Sequence, residues 1–133
     1  SDRSIEVLSQ GDLRGEWDAD RLAQAASNLI GNSLQHGDSS EPILVRLDGG
    51  DAAVVTFSVA NAGVIPPDLL PSLFDPFRGG PREADKSEGL GLGLYIVQQI
   101  VRAHRGSVDV MSENAMRTLF RVTVPRTIVD TGK

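Results

Sequence analysis

Three side-chain amides, Asn28, Asn32 and Gln35, follow one another at spacings of four and three residues, and a helix at 100° per residue gathers them within about 60° of arc. His36 flanks this polar stripe. Neutral oxygen donors suit Mg2+, which takes oxygen ligands and keeps several waters while phosphates supply the charge; taken alone, the stripe reads equally as a solvated helix face. A second set is Gly89-Leu90-Gly91-Leu92-Gly93-Leu94, alternating glycines that open a helix. Glycine lets backbone N–H groups approach an anion closely, and the helix start adds its positive end, a combination that suits a polyphosphate. The spacing is not the dinucleotide pattern G-x-G-x-x-G. Two smaller groups complete the inventory. Asn61 precedes Gly63 at the end of a strand-like run, where ordinary turn chemistry also explains both. Phe74-Asp75-Pro76-Phe77 sets two aromatics around Asp-Pro, which by itself reads as core anchoring at the base of a loop. Residues 80–87 have the length of a Walker A loop, but Asp85 stands where the second glycine belongs and would repel the phosphates, so that reading is excluded.

The elements that must position these groups follow from patterning. Asp18 caps a helix that starts near Ala19, carries Leu22, Ala26, Leu29, Ile30 and Ser33 on one side and ends at His36 before Gly37. Residues 43–47 and 54–60 alternate as a hairpin, with Val55, Phe57 and Val59 on one face, joined through Asp48-Gly49-Gly50-Asp51. A short helix after Pro66-Pro67 carries Leu69, Leu70 and Leu73. The segment 78–88 reads as a long loop, followed by a helix over 92–104 with its stripe at Leu94, Val97, Ile100 and Val101. Strands at 107–111, with Val108 and Val110 inward, and 118–124, with Phe120, Val122 and Val124 inward, close the chain. Hairpins beside one-sided helices predict an α+β two-layer sandwich and not a doubly wound parallel sheet.

Composition bounds the function. At 133 residues, with 40 % apolar and 23 % charged side chains, the chain makes one domain with a core of its own. The absence of cysteine excludes disulfides and thiolate metal sites. A formal charge of −5 with only 5 % aromatics argues against nucleic acid as a partner. Apolar runs break well short of the roughly 18 residues of a membrane span, and the N-terminus lacks the shape of a signal peptide. The expected compartment is the cytoplasm, without direct membrane contact.

Read in chain order, the blocks resemble the ATP-binding catalytic domain of two-component sensor histidine kinases, members of the GHKL ATPase group. The stretch from Asn28 through Asn32 to His36 is similar to the asparagine box of that family, Asn61-x-Gly63 to its first glycine box, Phe74 to Phe77 to its phenylalanine box, and Gly89-x-Gly91-x-Gly93 to its second glycine box. Residues 118–125 resemble the closing strand, and sensor kinases of the bacteriophytochrome type carry similar wording. The resemblance implies a mixed, mostly antiparallel sheet packed on helices, a single domain over residues 1–133 with flanking tails at 1–9 and 127–133, and an ATP lid at 78–88. It implies ATP and Mg2+ as ligands. Asn32 would coordinate the metal, Asn28 would support the metal and phosphate end, and Gln35 and His36 would lie near the nucleotide. Asn61, with Gly63 and Ile65 in the turn, would meet the adenine, and Thr118 would assist through bound water. Gly91 and Gly93 would offer amides to the phosphates, and Phe77, Arg78, Gly89, Leu92 and Leu94 complete the nucleotide set. Arg78, Arg82 and Lys86 are candidates for phosphate or partner contact. The chain departs from the family pattern at Asn61, where an aspartate is usual, in a turn one residue short after Gly63, at Gln35, where many members have lysine, and at Arg105 and Arg117, where glycines are frequent.

Hydrolytic relatives of the group, and the anti-sigma serine kinases, carry a glutamate four residues before the metal asparagine. Here that place is Asn28. An amide cannot take a proton near neutral pH, so activation of water or of a hydroxyl lacks its base. A neutral imidazole, with an unperturbed pKa around 6.5, is a nucleophile already. The expected reaction is therefore transfer of the γ-phosphoryl group of Mg·ATP to a histidine. No phosphoacceptor helix is readable in the chain, so the expected partners are the kinase's own dimerisation and phosphoacceptor helix domain, preceding Ser1 in a longer protein, and indirectly a response regulator. The alternative is a degenerate nucleotide-binding interaction module without phosphotransfer.

Overall fold

The structure, a computed structural model, describes residues 4–36, 41–63, 67–75, 93–113 and 117–127. In chain order these form β1 (Ile5–Gly11), α1 (Ala19–His36), β2 (Ile43–Gly49), β3 (Val54–Ala62), a 3-10 helix (Pro67–Ser72), α2 (Gly93–Ala103), β4 (Ser107–Glu113) and β5 (Arg117–Pro125). One sheet takes the order β1-β2-β3-β5-β4. Only β1 and β2 run parallel; the other neighbours are antiparallel. This is the α+β two-layer arrangement that the patterning predicts, with both α-helices against one face of the sheet.

Residues 5–9, expected as a flanking tail, belong instead to β1. Their partner lies on the far side of α1, Ile5 opposite Ile43, so no hairpin signal marks them, and every residue of the strand is exposed, so no buried face does either. Residues 128–133 of the other expected tail lie outside the described residues.

Helix α1 begins where Asp18 Oδ1 accepts the Arg21 backbone N–H at 3.1 Å, the expected cap. It buries Ala25, Leu29 and Ser33, with Leu22 and Ile30 packed beside them. Helix α2 buries Leu94, Val97, Ile100 and Val101, the stripe read from its spacing. The short helix expected after Pro66-Pro67 is a 3-10 helix, Pro67–Ser72. Pro71 inside it removes a backbone donor, and of the leucines expected there Leu73, just beyond it, is buried whereas Leu70 is exposed. The sheet contributes Val55, Val59, Phe120, Val122 and Val124 to the same core, where the Phe74 ring stands edge-on to Phe120 with centroids 6.4 Å apart. Phe74 of the phenylalanine block thus packs on the core, while Pro76 and Phe77 lie outside the described residues.

The end of the sheet remote from the asparagines is held by polar ties. Arg126 Nη1 donates to the Arg14 carbonyl at 2.7 Å and Nη2 to those of Gly49 and Asp51 at 2.8 Å, and Trp17 Nε1 donates to the Pro125 carbonyl. One guanidinium therefore joins the β1–α1 connection to the β2–β3 turn. Gly11 (φ 79°) is required here, because a β-carbon would strike the Gly49 backbone. Hydrogen bonds from Arg14 hold the Asp12 carboxyl well below the usual carboxylate range, and the Gly50 N–H and Gln10 do the same for Asp48. With folded values depressed, whatever stability these exposed groups add is present at neutral pH and lost on acidification through those values. Among the described residues no helix is long and apolar enough to cross a membrane.

Helix α2 ends in a Schellman arrangement. Gly106 N–H bonds to the Val101 carbonyl and Arg105 N–H to that of Arg102, both at 2.9 Å. Arg105 takes the left-handed position, φ 63°, which disfavours any residue with a β-carbon by about 1–2 kcal/mol. Arg105→Gly is expected to raise stability by about 0.5–1 kcal/mol, the gain being trimmed by glycine's larger unfolded-state entropy. Urea denaturation of the two proteins measures it.

Candidate functional site

The amide stripe and the start of α2 meet. Asn28 is half-buried, and its Nδ2 donates to the carbonyl of Gly93, the first residue of α2, at 3.3 Å. Asn32 lies one turn further along α1, also half-buried. A β-carbon added at Gly93 would meet no described residue within 4 Å. The first N–H groups of a helix lack internal partners and carry its positive end. The Asn28 amide thus lies against the positive end of α2, with Asn32 one turn further along α1. Among the described residues no group of three or more histidine, aspartate or glutamate side chains could hold a metal alone; a cation here would come with anionic ligands of its own. The donor set fits Mg2+ carried on phosphates.

The second part lies at the adjoining end of the sheet. Asn61 and Thr118 stand opposite one another in the β3–β5 register, on the helix-facing side that Val59 and Phe120 occupy one step inward. Asn61 is 6 % and Thr118 4 % exposed. Thr118 Oγ1 donates to the Gly63 carbonyl at 2.8 Å and Asn61 Nδ2 to the Ala62 carbonyl at 2.9 Å. Gly63 itself takes φ 108°, a conformation that favours glycine.

The structure therefore joins Asn28 to Gly93, and Asn61 to Thr118 and Gly63. The Leu94 side chain is a core residue, so any contribution to a ligand would come from its backbone in the first turn of α2. Gln35 and His36 belong to the last turn of α1; their side chains fall outside the described residues, as do Ile65, Phe77, Arg78, Gly89, Gly91 and Leu92 and the whole expected lid at 78–88. Two open depressions, about 560 Å3 between α1 and α2 and about 410 Å3 at the β2–β3 turn, are lined by none of Asn28, Asn32, Asn61 or Thr118.

One residue without an expected role turns out to position the site. His104, 4 % exposed, follows α2. Its Nε2 accepts the Asp18 backbone N–H at 3.1 Å, and its Nδ1 lies 2.9 Å from the Ile100 carbonyl, an arrangement that needs the neutral tautomer with hydrogen on Nδ1. A histidine three residues past Val101, continuing the apolar stripe of Val97, Ile100 and Val101, was its sequence signal.

The family of histidine kinase-, DNA gyrase B- and HSP90-like ATPases is matched over residues 17–128. The chain belongs to that family. Within it, the chain is similar to sensor histidine kinase CusS of Escherichia coli K12, 42 % identical over 127 residues, which cover 93 % of this chain and 26 % of CusS. The bacteriophytochrome of Pseudomonas aeruginosa is 35 % identical over 130 residues, 96 % of this chain and 18 % of that protein. The chain thus spans about a quarter or less of these relatives. Among solved structures, the catalytic domain of histidine kinase ThkA superposes with a TM-score of 0.78 at 28 % identity, covering 94 % of this chain and 80 % of that one. Full-length ShkA in complex with AMPPNP gives 0.71, also at 28 % identity, covering 91 % of this chain and 25 % of ShkA. This family member is an ATP-binding catalytic domain of the sensor histidine kinase kind.

Asn28 acts as a donor to Gly93. Asn28→Asp keeps the size but sets a carboxylate against a carbonyl, so a loss of about 1–2 kcal/mol at neutral pH is expected. Part should return below about pH 4, where the protonated acid can donate again. Urea titrations of wild type and variant, compared at the two pH values, read both effects.

Proposed function

We propose that this domain binds Mg·ATP where α1, the start of α2 and the ends of β3 and β5 meet, and directs the γ-phosphoryl group to a histidine on a phosphoacceptor helix domain. The observation that carries the reading is Asn28. It lies beside the helix start that would face the phosphates, it is committed as a donor to Gly93 at 3.3 Å, and it is an amide where a base would be needed to activate water. An acceptor that already owns a lone pair needs only alignment, which suits an imidazole. Its nitrogen forms the bond to phosphorus as the bond to the ADP oxygen breaks, with the electron pair leaving on ADP. Such a transition state is loose, so positioning and charge stabilisation do most of the work. Full-length ShkA in complex with AMPPNP supports a nucleotide in this fold.

Asn32 is the residue proposed to hold Mg2+ through its amide oxygen, with Asn28 steadying the phosphate end. Bound there, the metal neutralises charge on the β- and γ-phosphates. Backbone N–H groups at the start of α2 serve the phosphates, with Gly91 and the rest of the glycine box ahead of them. Asn61 and Thr118 serve the base, with Gln35, His36, Gly63 and Ile65 around the nucleotide and Phe77, Arg78 and the 78–88 lid closing over it. Dependence on ATP puts the domain's work in the cytoplasm. Its immediate partner is the kinase's own dimerisation and phosphoacceptor domain, and a response regulator receives the phosphoryl group afterwards. Neither nucleic acid nor a membrane surface is part of this reading.

Asn32→Ala is expected to abolish Mg-dependent ATP binding in calorimetry while the circular dichroism spectrum is retained; unchanged affinity contradicts the metal assignment. Mixing the domain with a cognate phosphoacceptor helix domain and labelled ATP should give acid-labile, base-stable label on histidine. ATP binding with no such label would favour the interaction-module reading.

A further inference from the structure

The face of the sheet turned away from the helices carries three arginines that the nucleotide reading leaves without a task. Alternation along β2 and β5 brings Arg46, Arg117 and Arg121 to that side, where they wall one depression of about 150 Å3. Its other residues fall into rows. Arg46, Ser58 and Arg121 stand abreast on β2, β3 and β5, and Leu44, Ala60 and Leu119 form the next row. Arg117 stands opposite Ala62 in the row after that. Strand spacing sets Arg46 and Arg121 about 10 Å apart across Ser58, and Arg117 about 13 Å from Arg121 along β5, so all three side chains can lean over the middle row. Ala60 and Leu119 in that row are 6 % and 9 % exposed, although both helices pack against the other face. The hollow has an apolar floor, a hydroxyl at one side and cations around it.

Among the described residues no carboxylate pairs with any of these arginines. Asp109 faces Arg121 in the β4–β5 register and Glu6 stands beside Leu44 on β1, but neither forms an ion pair with them. The side chain of Glu113, opposite Arg117, falls outside the described residues. Like charges gathered on one sheet face repel, and a chain with 18 acidic side chains against 13 basic ones has no shortage of partners for them. We propose that the depression is a binding site for a phosphate group, free or carried as a monoester. A guanidinium offers paired N–H donors to an oxyanion, and three of them match a group that carries close to two charges near neutral pH better than a single carboxylate. The volume is the room of about five waters, enough for one phosphate and too little for a nucleoside. Arg46 and Arg121 are exposed, so the hollow opens to solvent and an ester carbon can point outward. Arg117 stands where the family frequently has glycine, so the third cation comes from a departure of this chain and not from the shared nucleotide machinery on the helix-facing side.

The test follows the backbone amide NMR shifts of the whole chain, at constant ionic strength and without Mg2+, as inorganic phosphate, O-phosphoserine and succinate are added in separate titrations. Wild type should show saturable shifts centred on Arg46, Ser58, Leu119 and Arg121 with phosphate. Succinate, a dicarboxylate of similar charge, should need at least about tenfold higher concentration, since its two charges sit on separate groups. Arg46→Gln, Arg121→Gln and Arg117→Gly should each weaken phosphate by about 10-fold, the worth of a charge-assisted hydrogen bond, with unchanged circular dichroism. Saturation by both phosphate and phosphoserine upholds the proposal with a monoester as ligand; saturation by inorganic phosphate alone upholds it with the free ion. Shifts that do not saturate overturn it, as do shifts confined to the start of α2, equal binding of succinate, or folded arginine variants that bind phosphate as wild type does.

Discussion

A neutral imidazole holds the two helices together, and the placement of everything chemical depends on it. His104 takes a hydrogen bond from the start of α1 through the Asp18 N–H at 3.1 Å and holds to α2 through the Ile100 carbonyl at 2.9 Å. At the other end, Asn28 reaches the Gly93 carbonyl. From residue 18 to 28 along α1 is about 15 Å, and from 104 back to 93 along α2 is slightly more. The two spans match, so two antiparallel helices pinned at one end arrive in register at the other. The start of α2 comes to the asparagines because its far end is fixed. Histidine suits this task because one ring nitrogen can donate while the other accepts, which no aliphatic side chain could do in a place 4 % exposed.

The described polar ties differ in kind between the β2–β3 turn and the helix-facing side of the site. At the β2–β3 turn, Arg126 gathers three carbonyls, Asp12 pairs with Arg14 at 2.9 Å, and Asp48 accepts from Gly50. At the opposite end Arg117 stands beside Thr118, while the groups on the helix-facing side, Asn28, Asn61 and Thr118, are amides and a hydroxyl. This division has a physical reason. Under the proposed function a fixed carboxylate here would oppose the phosphates of a nucleotide, whereas neutral donors and a helix end would leave most of the neutralisation to a metal ion bound with them. The charged ties then supply rigidity where no ligand has to enter or leave.

The helical stripes and inner faces of the strands were legible because burial follows the periods of 3.6 and 2 directly: Val97, Val101, Val59 and Phe120 all lie where their spacing puts them. The amide stripe was legible for the same reason. β1 was not, since its parallel partner is separated from it by a whole helix and its exposed residues carry no alternation of burial. The short helix expected after Pro66-Pro67 is there, as a 3-10 helix with Pro71 inside it. At the site, residue types showed what could bind, but not the ties that orient them. Nothing in the letters Asn61 and Thr118 says that the hydrogens of both go to neighbouring carbonyls; that emerges only when β3 and β5 are laid side by side.

The two departures after β3, an asparagine for the usual aspartate and a turn shortened by one residue, read more naturally as one change than as two. A turn with fewer residues has fewer backbone N–H groups with which to satisfy the carbonyls it buries. Here those of Ala62 and Gly63 are met by side chains instead, Asn61 and Thr118. A carboxylate could not have met the first of them, because it has no hydrogen to give. The amide therefore does at the end of β3 what a carboxylate could not, giving a hydrogen to the Ala62 carbonyl while its oxygen takes no part in that bond.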